Sequence, residues 1–477
     1  MAVRKNIVLA GLGPHARRIY YPLLEKYREQ YNLHVALLID RQDQADAVHN
    51  YLAGRALQPD KLLFIEDHPN GDDPPGEELL ASLRELTSTQ RIDGIIIATE
   101  PRAHKVYALW AILNHVDVLV DKPITAPPGA SVEVHAARQV FADYGDLERC
   151  LRFSTSNVIV QAQRRSHAGY ALIKLYLDEF TQKYPIPISY MDIYHGDGMW
   201  PMPDELFRRE NHPFKYGYGK LMHSGYHFVD LFAWLAQVNM RMIDKRPDRA
   251  EIVARRFGPY DFLHQVSRED YHTLFGGNVS DVAFSPARLN TARSYGEQDV
   301  FALCQLKRDD VVVTTASINL QQNSFSRRAW LEQPQDVYKG NGRVRHEHLN
   351  LQIGNLLNIQ AHSYQAYEVG KKDVEVEGAG HEDHFEVDIY RNSGVVGGQP
   401  LEKFDIGSQA RREHSDDSAF LGHNEYAREL HFLDFLERRP GPSHFSTHGL
   451  SVRLLSGMCE ALAIGQQGDY SQVVVPV

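Results

Sequence analysis

The sequence predicts an α/β chain in two parts: a parallel sheet covered by helices on both faces, then an α+β domain on a predominantly antiparallel sheet. Three observations predict it. The N-terminal third alternates short, wholly apolar runs with helically spaced ones, the pattern of strands buried on both faces and the helices that cross between them. A glycine-rich turn follows the first apolar run at once. From about residue 151 the strand-like runs change character, and 477 residues are too many for one ordinary core. The expected division is 1–150 and 151–477.

Ile7-Val8-Leu9-Ala10 reads as the first strand, apolar without polar alternation. Gly11-Leu12-Gly13-Pro14-His15-Ala16 then fits the G-x-G-x-x-G/A fingerprint of a Rossmann-type dinucleotide site. Gly11 permits the tight turn, Gly13 lets the backbone approach a pyrophosphate, and Ala16 allows close packing of helix on sheet. Backbone N–H groups at the helix start, beside Pro14 and His15, face the phosphates. Ile19, Leu23, Leu24 and Tyr27 have helical spacing, and Val35-Ala36-Leu37-Leu38-Ile39 is a second buried strand ending at Asp40. Asp40 lies 29 residues after Gly11 (40 − 11), beyond the usual interval of about 20, yet at the strand end where a carboxylate accepts hydrogen bonds from an adenosine ribose. This favours NAD as the cofactor. Arg41 offers a guanidinium that can hold a 2′-phosphate, so NADP stays open.

Gly94-Ile95-Ile96-Ile97-Ala98 is the next buried strand, followed by an amphipathic helix over about 104–114 and a strand at Val116-Asp117-Val118-Leu119-Val120. Asp121-Lys122-Pro123 closes that strand. Ligands bind at the carboxyl ends of strands in an open parallel sheet, so Lys122 and the turn Thr99-Glu100-Pro101 are expected to face the cofactor. Pro123 biases Lys122 towards an extended conformation that can aim its ammonium at a ligand. Residues 59–77, with four prolines, and 370–420, rich in Gly, Asp and Glu, read as loops, the second as an insertion.

In the second domain strands are expected at 158–160, 188–191, 300–303 and 311–315, and helices near 167–181, 224–237, 425–438 and 447–463. Phe228, Leu231, Phe232 and Leu235 form an apolar stripe, with Ser224 as the expected helix cap. His227 and Asp230 then share a face, and a carboxylate three residues from an imidazole can orient it for acid/base work. His223 falls just before the expected helix start.

A net charge of −11 with pI about 6.1 argues against a nucleic-acid partner. The N-terminal apolar run is too short for a signal-peptide core or a membrane span, so a cytoplasmic protein is expected. Cys150, Cys304 and Cys459 lie far apart and read as buried thiols rather than zinc ligands or disulfides. No metal site is expected: His381-Glu382-Asp383-His384 lacks ligand spacing, and His346 and His348 share one strand face but are only two. Arg164, Arg165, Lys220 and His212 can contact substrate but read more simply as surface charge.

Ala10-Gly11-Leu12-Gly13, Ala98-Thr99-Glu100-Pro101-x-x-His104, Asp121-Lys122-Pro123 and Gly225-x-His227-x-x-Asp230 together resemble the glucose-fructose oxidoreductase / inositol dehydrogenase (Gfo/Idh/MocA) family. The resemblance implies an N-terminal Rossmann domain, a C-terminal domain with a large, open sheet, a homo-oligomer, and a catalytic role for Lys122. Asp121 stands where the family has glutamate in its Glu-Lys-Pro motif. The family's Asp-x-x-x-His pair falls on His223 and His227, so the histidine is kept and an imidazole replaces the carboxylate. The expected activity is an NAD(P)-dependent dehydrogenase or reductase acting on a sugar, cyclic polyol or related hydroxy/keto compound. His227 is the expected base and Lys122 the cation that polarises the oxygen, with His223 and Asp230 beside them. An NAD-dependent glycoside hydrolase and a non-catalytic cofactor-binding regulator are the alternatives.

Overall fold

Apolar runs without alternation become a six-stranded parallel sheet. Its strands are β1 (Lys5–Ala10), β2 (Leu33–Arg41), β3 (Leu62–Ile65), β4 (Gly94–Ile97), β5 (Asp117–Val120) and β6 (Val158–Val160), in the order β3-β2-β1-β4-β5-β6. Every residue of β4 and β5 is buried, as expected of strands covered on both faces. The order reverses at β1, the place where such sheets bind ligands. The computed structural model describes residues 3–69, 73, 76–276, 279, 281–329, 331, 342–366, 384–414, 422–469 and 472–477.

The helical spacing after the glycine turn is realised in three short pieces, Pro14–Arg18, Tyr20–Lys26 and Arg28–Tyr31. Pro22 explains the first joint: it has no N–H for the carbonyl of Arg18, and its ring crowds that carbonyl. The loop reading of 59–77 needs correction, because β3 lies within it and the helix Glu77–Thr89 begins at its end. Prolines on either side of Leu62-Leu63-Phe64-Ile65 masked a short strand.

The chain forms two compact units. The first takes residues up to Pro127, Val140–Ser166 and Asn424–Gly449; the second takes Pro128–Gln139, His167–His423 and Leu450–Val477. Within the first, Ile7, Leu9, Leu38, Ile96 and Leu119 share a core with Phe432, Phe435 and Leu436 of the helix His423–Leu436. Gly94 makes room for this, since a Cβ there would meet the Phe435 ring at 2.4 Å.

The second unit is built on nine strands: β7 (Tyr190–Gly196), β8 (Arg249–Phe257), β9 (Asp299–Arg308), β10 (Val311–Gln321), β11 (Val344–Ile353), β12 (Leu357–Ala366), β13 (Glu386–Arg391), β14 (Leu401–Asp405) and β15 (Val473–Pro476). Their order is β14-β13-β12-β11-β7-β10-β9-β8-β15, antiparallel throughout except for the β7–β10 pair. Burial alternates along β12, so one face packs and the other is open. β13, β14 and the helix Ile406–Glu413 occupy the span read as an insertion loop, correcting that reading for its described part; residues 370–383 and 415–420 lie outside the described residues. Val387 and Ile389 alternate with Glu386, Asp388 and Tyr390, a strand signal diluted by the acidic composition around it. Cys304 and Cys459 are buried as expected, whereas Cys150 is half-buried. Among the described residues no helix is long and apolar enough to cross a membrane.

Candidate active site

The glycine turn closes β1 in the first unit. Gly11 has φ +89, and a Cβ there would meet the Ala98 carbonyl oxygen at 2.7 Å, so conformation and space both require glycine. Gly13 precedes the helix Pro14–Arg18, and a Cβ on it would meet nothing within 4 Å. The turn thus has open space over backbone that begins a helix, which is what a pyrophosphate needs. Ala16 is buried. Arg17, next in sequence and absent from the expected set, donates from Nε to the Leu12 carbonyl at 2.8 Å and braces the turn.

Asp40 ends β2 only 6% exposed, with Oδ2 accepting from the Leu12 N–H and Oδ1 from the Arg41 N–H, each at 2.8 Å. Burial pushes its carboxyl up, but the His68 imidazole 3.9 Å away and the hydrogen bonds from those two N–H groups outweigh it and hold the carboxyl below its ordinary value. The carboxylate is therefore charged and fixed to the glycine turn. The Arg41 guanidinium pairs with Asp43 at 2.9 Å. Behind Asp40, His68 lies 2.7 Å from the Tyr107 hydroxyl, and Arg102 grips Asp67 through two bonds of 2.7 and 2.6 Å. None of these four was singled out in the sequence, where they carry no motif.

The turns after β4 and β5 are joined by His104. Its ring is fully buried, with Nδ1 2.7 Å from the Pro123 carbonyl and Nε2 3.1 Å from the Thr99 carbonyl. Burial, opposed by Asp121 and the two carbonyls, holds its pKa below the ordinary imidazole value. His104 is enclosed between the two turns; as a neutral imidazole it donates to one of these carbonyls and packs against the other, holding the Thr99-Glu100-Pro101 turn beside the Asp121-Lys122-Pro123 turn. Asp121 accepts from the Lys122 N–H at 2.9 Å, and its other oxygen lies 3.5 Å from His15 Nε2. Lys122 is half-buried and joined to Pro123 by a cis peptide. His15, Asp121 and Lys122 thus stand together at the carboxyl ends of β1 and β5, with Thr99, Glu100 and Pro101 after β4.

In the second unit the histidine motif begins in a π-helical turn, Leu221–Gly225, that runs straight into the helix Tyr226–Ala236. The turn is closed by the Gly225 N–H donating to the Lys220 carbonyl at 2.7 Å, and a Cβ on Gly225 would meet that oxygen at 2.5 Å. This corrects two expectations. Ser224 is inside the helical segment and caps nothing; its hydroxyl donates to Asp197 Oδ2 at 2.7 Å. His223 lies within the first turn rather than ahead of it. The capping is done by Glu297, far away in sequence, which accepts the Leu221 N–H on Oε1 at 2.7 Å and the Lys220 N–H on its carbonyl at 2.8 Å. Burial raises the Glu297 carboxyl above its ordinary value against the pull of Ser131 and the Leu221 N–H.

His223 is buried, its ring stacked on His212 at 4.7 Å and flanked edge-on by Phe214 and Tyr218 at 5.9 and 6.0 Å. His227 is buried on the following helix, and Asp230, one turn on, accepts from the Ser451 hydroxyl at 2.7 Å. Arg164, Arg165 and Lys220 are not surface charges. Arg165 is 1% exposed and donates to the Pro442 carbonyl at 3.0 Å and the Thr447 hydroxyl at 2.6 Å, while Lys220 is wholly enclosed. Lys220 belongs to a buried charged cluster with Asp197, His195 and Arg343 that the sequence reading missed; its only signal was a polar run, His195-Gly196-Asp197-Gly198, closing a strand. His348 stacks on His362 at 4.8 Å on the open sheet face, and among the described residues no group of three or more His, Cys, Asp or Glu is arranged to hold a metal.

Residues 5–140 match the Gfo/Idh/MocA family model, described as an oxidoreductase family with an NAD-binding Rossmann fold. The match takes in the glycine turn, the Thr99-Glu100-Pro101 turn with His104, and Asp121-Lys122-Pro123; it does not reach His223, His227 or Asp230. No curated protein matches the sequence. Solved structures do match in fold. An NAD-binding oxidoreductase from Klebsiella pneumoniae is 15% identical with TM-score 0.55, covering 100% of this chain and 99% of its own. The WlbA dehydrogenase from Bordetella pertussis, in complex with NADH and UDP-GlcNAcA, is 12% identical with TM-score 0.54 over 100% and 99%. A levoglucosan dehydrogenase, in complex with NADH and L-sorbose, is 12% identical with TM-score 0.56 over 100% of both chains. At these identities the likeness is one of fold.

Proposed function

We propose that the protein is an NAD(P)-dependent dehydrogenase or reductase acting on a CH–OH group of a sugar, cyclic polyol or related small hydroxy/keto compound, with NAD favoured over NADP. The observation that carries this reading is the pair of turns tied by His104, which sets Lys122 at the strand ends beside a glycine turn with room for a diphosphate. The residues present fit a dinucleotide: Gly11, Gly13, Pro14, His15 and Ala16 form its phosphate cradle, Asp40 and Arg41 take the ribose end, and Thr99, Glu100, Pro101, Asp121 and Lys122 line the strand ends. When bound, the nicotinamide supplies the two-electron acceptor or donor. The charged, fixed Asp40 supports NAD, since a 2′-phosphate beside it meets like charge.

In this reading His227 takes the hydroxyl proton of the substrate, and Lys122 polarises the same oxygen and relays the proton. Asp230 orients His227, and Ser451 holds Asp230 in turn. His223, where the family has a carboxylate, donates or accepts one hydrogen bond to substrate. The ligands of the fold neighbours, UDP-GlcNAcA and L-sorbose, support a sugar-like substrate. A cytoplasmic location and a homo-oligomer complete the proposal, the oligomer supported by exposed Phe301 and Leu303 on the nine-stranded sheet.

The test is direct spectrophotometry of NADH formation across a panel of sugars, uronates and polyols. Lys122→Ala is expected to lower turnover by orders of magnitude while NAD affinity stays nearly intact; unchanged turnover rejects the assignment. Glycoside cleavage that needs NAD but yields no net NADH would replace the dehydrogenase by the hydrolase. Cofactor binding without turnover on any of these substrates would leave a regulator.

A further inference from the structure

The segment closing β7, His195-Gly196-Asp197-Gly198, does something to the histidine helix that no catalytic reading has used. Lys220, the residue just before the π-helical turn, Ser224 within it and Phe228 in the helix that follows are spaced four apart, and all three are held by this segment. Asp197 Oδ2 accepts from Lys220 Nζ at 2.5 Å and from the Ser224 hydroxyl at 2.7 Å. His195 places Nδ1 3.0 Å from Lys220 Nζ and stacks its ring on Phe228 at 4.2 Å. Asp197 is itself pinned, because Arg343 donates from Nη2 to Oδ1 at 2.6 Å and from Nε to the Asp197 carbonyl at 2.7 Å. Burial works against the Asp197 charge, but Lys220, His195 and Arg343 hold its carboxyl well below the ordinary range.

His223 and His227 each lie one position before a clamped residue. Gripping 220, 224 and 228 therefore fixes the rotation of the helix about its axis and with it the direction of both imidazoles. A buried ion pair is a poor device for stability alone, since apolar residues of similar volume are often as stable in its place. The geometry points to Asp197 and His195 as positioning residues that set the orientation of His223 and His227. This rests on the proposed dehydrogenase only in giving those histidines their chemical role.

The experiment uses the full chain with ring-labelled histidines, following the Cε1–H resonances of His223 and His227, assigned through His223→Gln and His227→Gln. Asp197→Asn is expected to move both resonances and to lower kcat at least about tenfold, a loss of roughly 1.4 kcal/mol of transition-state stabilisation, with the KM for NAD unchanged. The apolar replacement of all three charges, Asp197→Leu with Lys220→Met and Arg343→Met, separates positioning from stability: it is expected to melt no lower than the parent yet keep the displaced resonances and the low kcat. Parental resonances in that triple variant overturn the proposal. Should Asp197→Asn not fold, Ser224→Ala removes a single hydroxyl and is expected to move the same resonances by less; no movement there also overturns it. The resonances need no cofactor, so a parent protein that forms no NADH would sink the dehydrogenase reading and leave the clamp to be judged separately.

Discussion

Glu297 shows how a single side chain couples helix geometry to protonation. It caps the π-helical turn from 76 positions away in sequence, and burial raises its carboxyl above the ordinary 4.5. The folded state thus binds this proton more tightly than the unfolded chain, so its contribution to stability is full below 4.5 and is lost as pH rises through the raised folded value. Glu297→Gln keeps an oxygen for the Leu221 N–H without a charge to bury. Its denaturation midpoint is expected to match the parent near about pH 4 and to exceed it near about pH 8, measured by urea titration. Asp40 has the opposite sign: its folded value is depressed, so its stabilisation is present above 3.8 and fades as pH falls through the folded value. Asp40→Asn leaves one of the two backbone N–H groups facing an amide, at a cost of about 1–3 kcal/mol, and removes the charge that opposes a 2′-phosphate. Steady-state kinetics with both cofactors are expected to show kcat/KM for NADP rising relative to NAD. At this scale the sequence showed Gly11, Asp40 and Lys122, because their neighbours in the chain define their surroundings. Glu297, Asp197 and His104's enclosed bridge were not legible, because their partners come from distant segments.

Elements formed where periodicity was local and strong. β1, β2, β4 and β5 fall where apolar runs predict them, and a helix forms at 226–236, although it is buried all round rather than along the one expected stripe. The differences have physical causes: Pro22 divides one expected helix, and the start of the histidine helix is set by Glu297 and a π-turn rather than by Ser224. The π-turn depends on glycine at 225, where a Cβ would press on the Lys220 carbonyl oxygen at 2.5 Å. Gly225→Ala is therefore expected to cost about 1–3 kcal/mol by forcing the backbone apart, and hydrogen exchange should show the loss of protection concentrated over Leu221–Gly225. Exchange spread evenly over the whole helix would contradict a locally held turn.

The whole molecule is less sequential than its motifs. The parallel sheet borrows Phe432, Phe435 and Leu436 from near the far end of the chain, so a boundary drawn at residue 150 describes the order of motifs, whereas the first compact unit also includes Asn424–Gly449 and runs through Val140–Ser166, with the strand at 158–160 in the parallel sheet and not in the second domain as expected. Phe432→Ala is expected to destabilise that unit by about 3–5 kcal/mol, lowering its melting temperature although the substituted residue lies some 400 positions beyond β1. Thiol chemistry offers a second check: half-buried Cys150 should react with a disulfide reagent in the native protein, while Cys459 and Cys304, the latter thiol pushed by burial to about 12, react only on unfolding. By itself the sequence determined the glycine turn, the strand ends that flank it, the lysine turn and the two-part architecture, because backbone conformation and apolar periodicity are written over short windows. Only the tertiary structure decided which charges are buried, which carboxylate caps the histidine helix and which segments complete the first core. Those outcomes depend on residues hundreds of positions apart competing for the same desolvated space, and no local pattern encodes that competition.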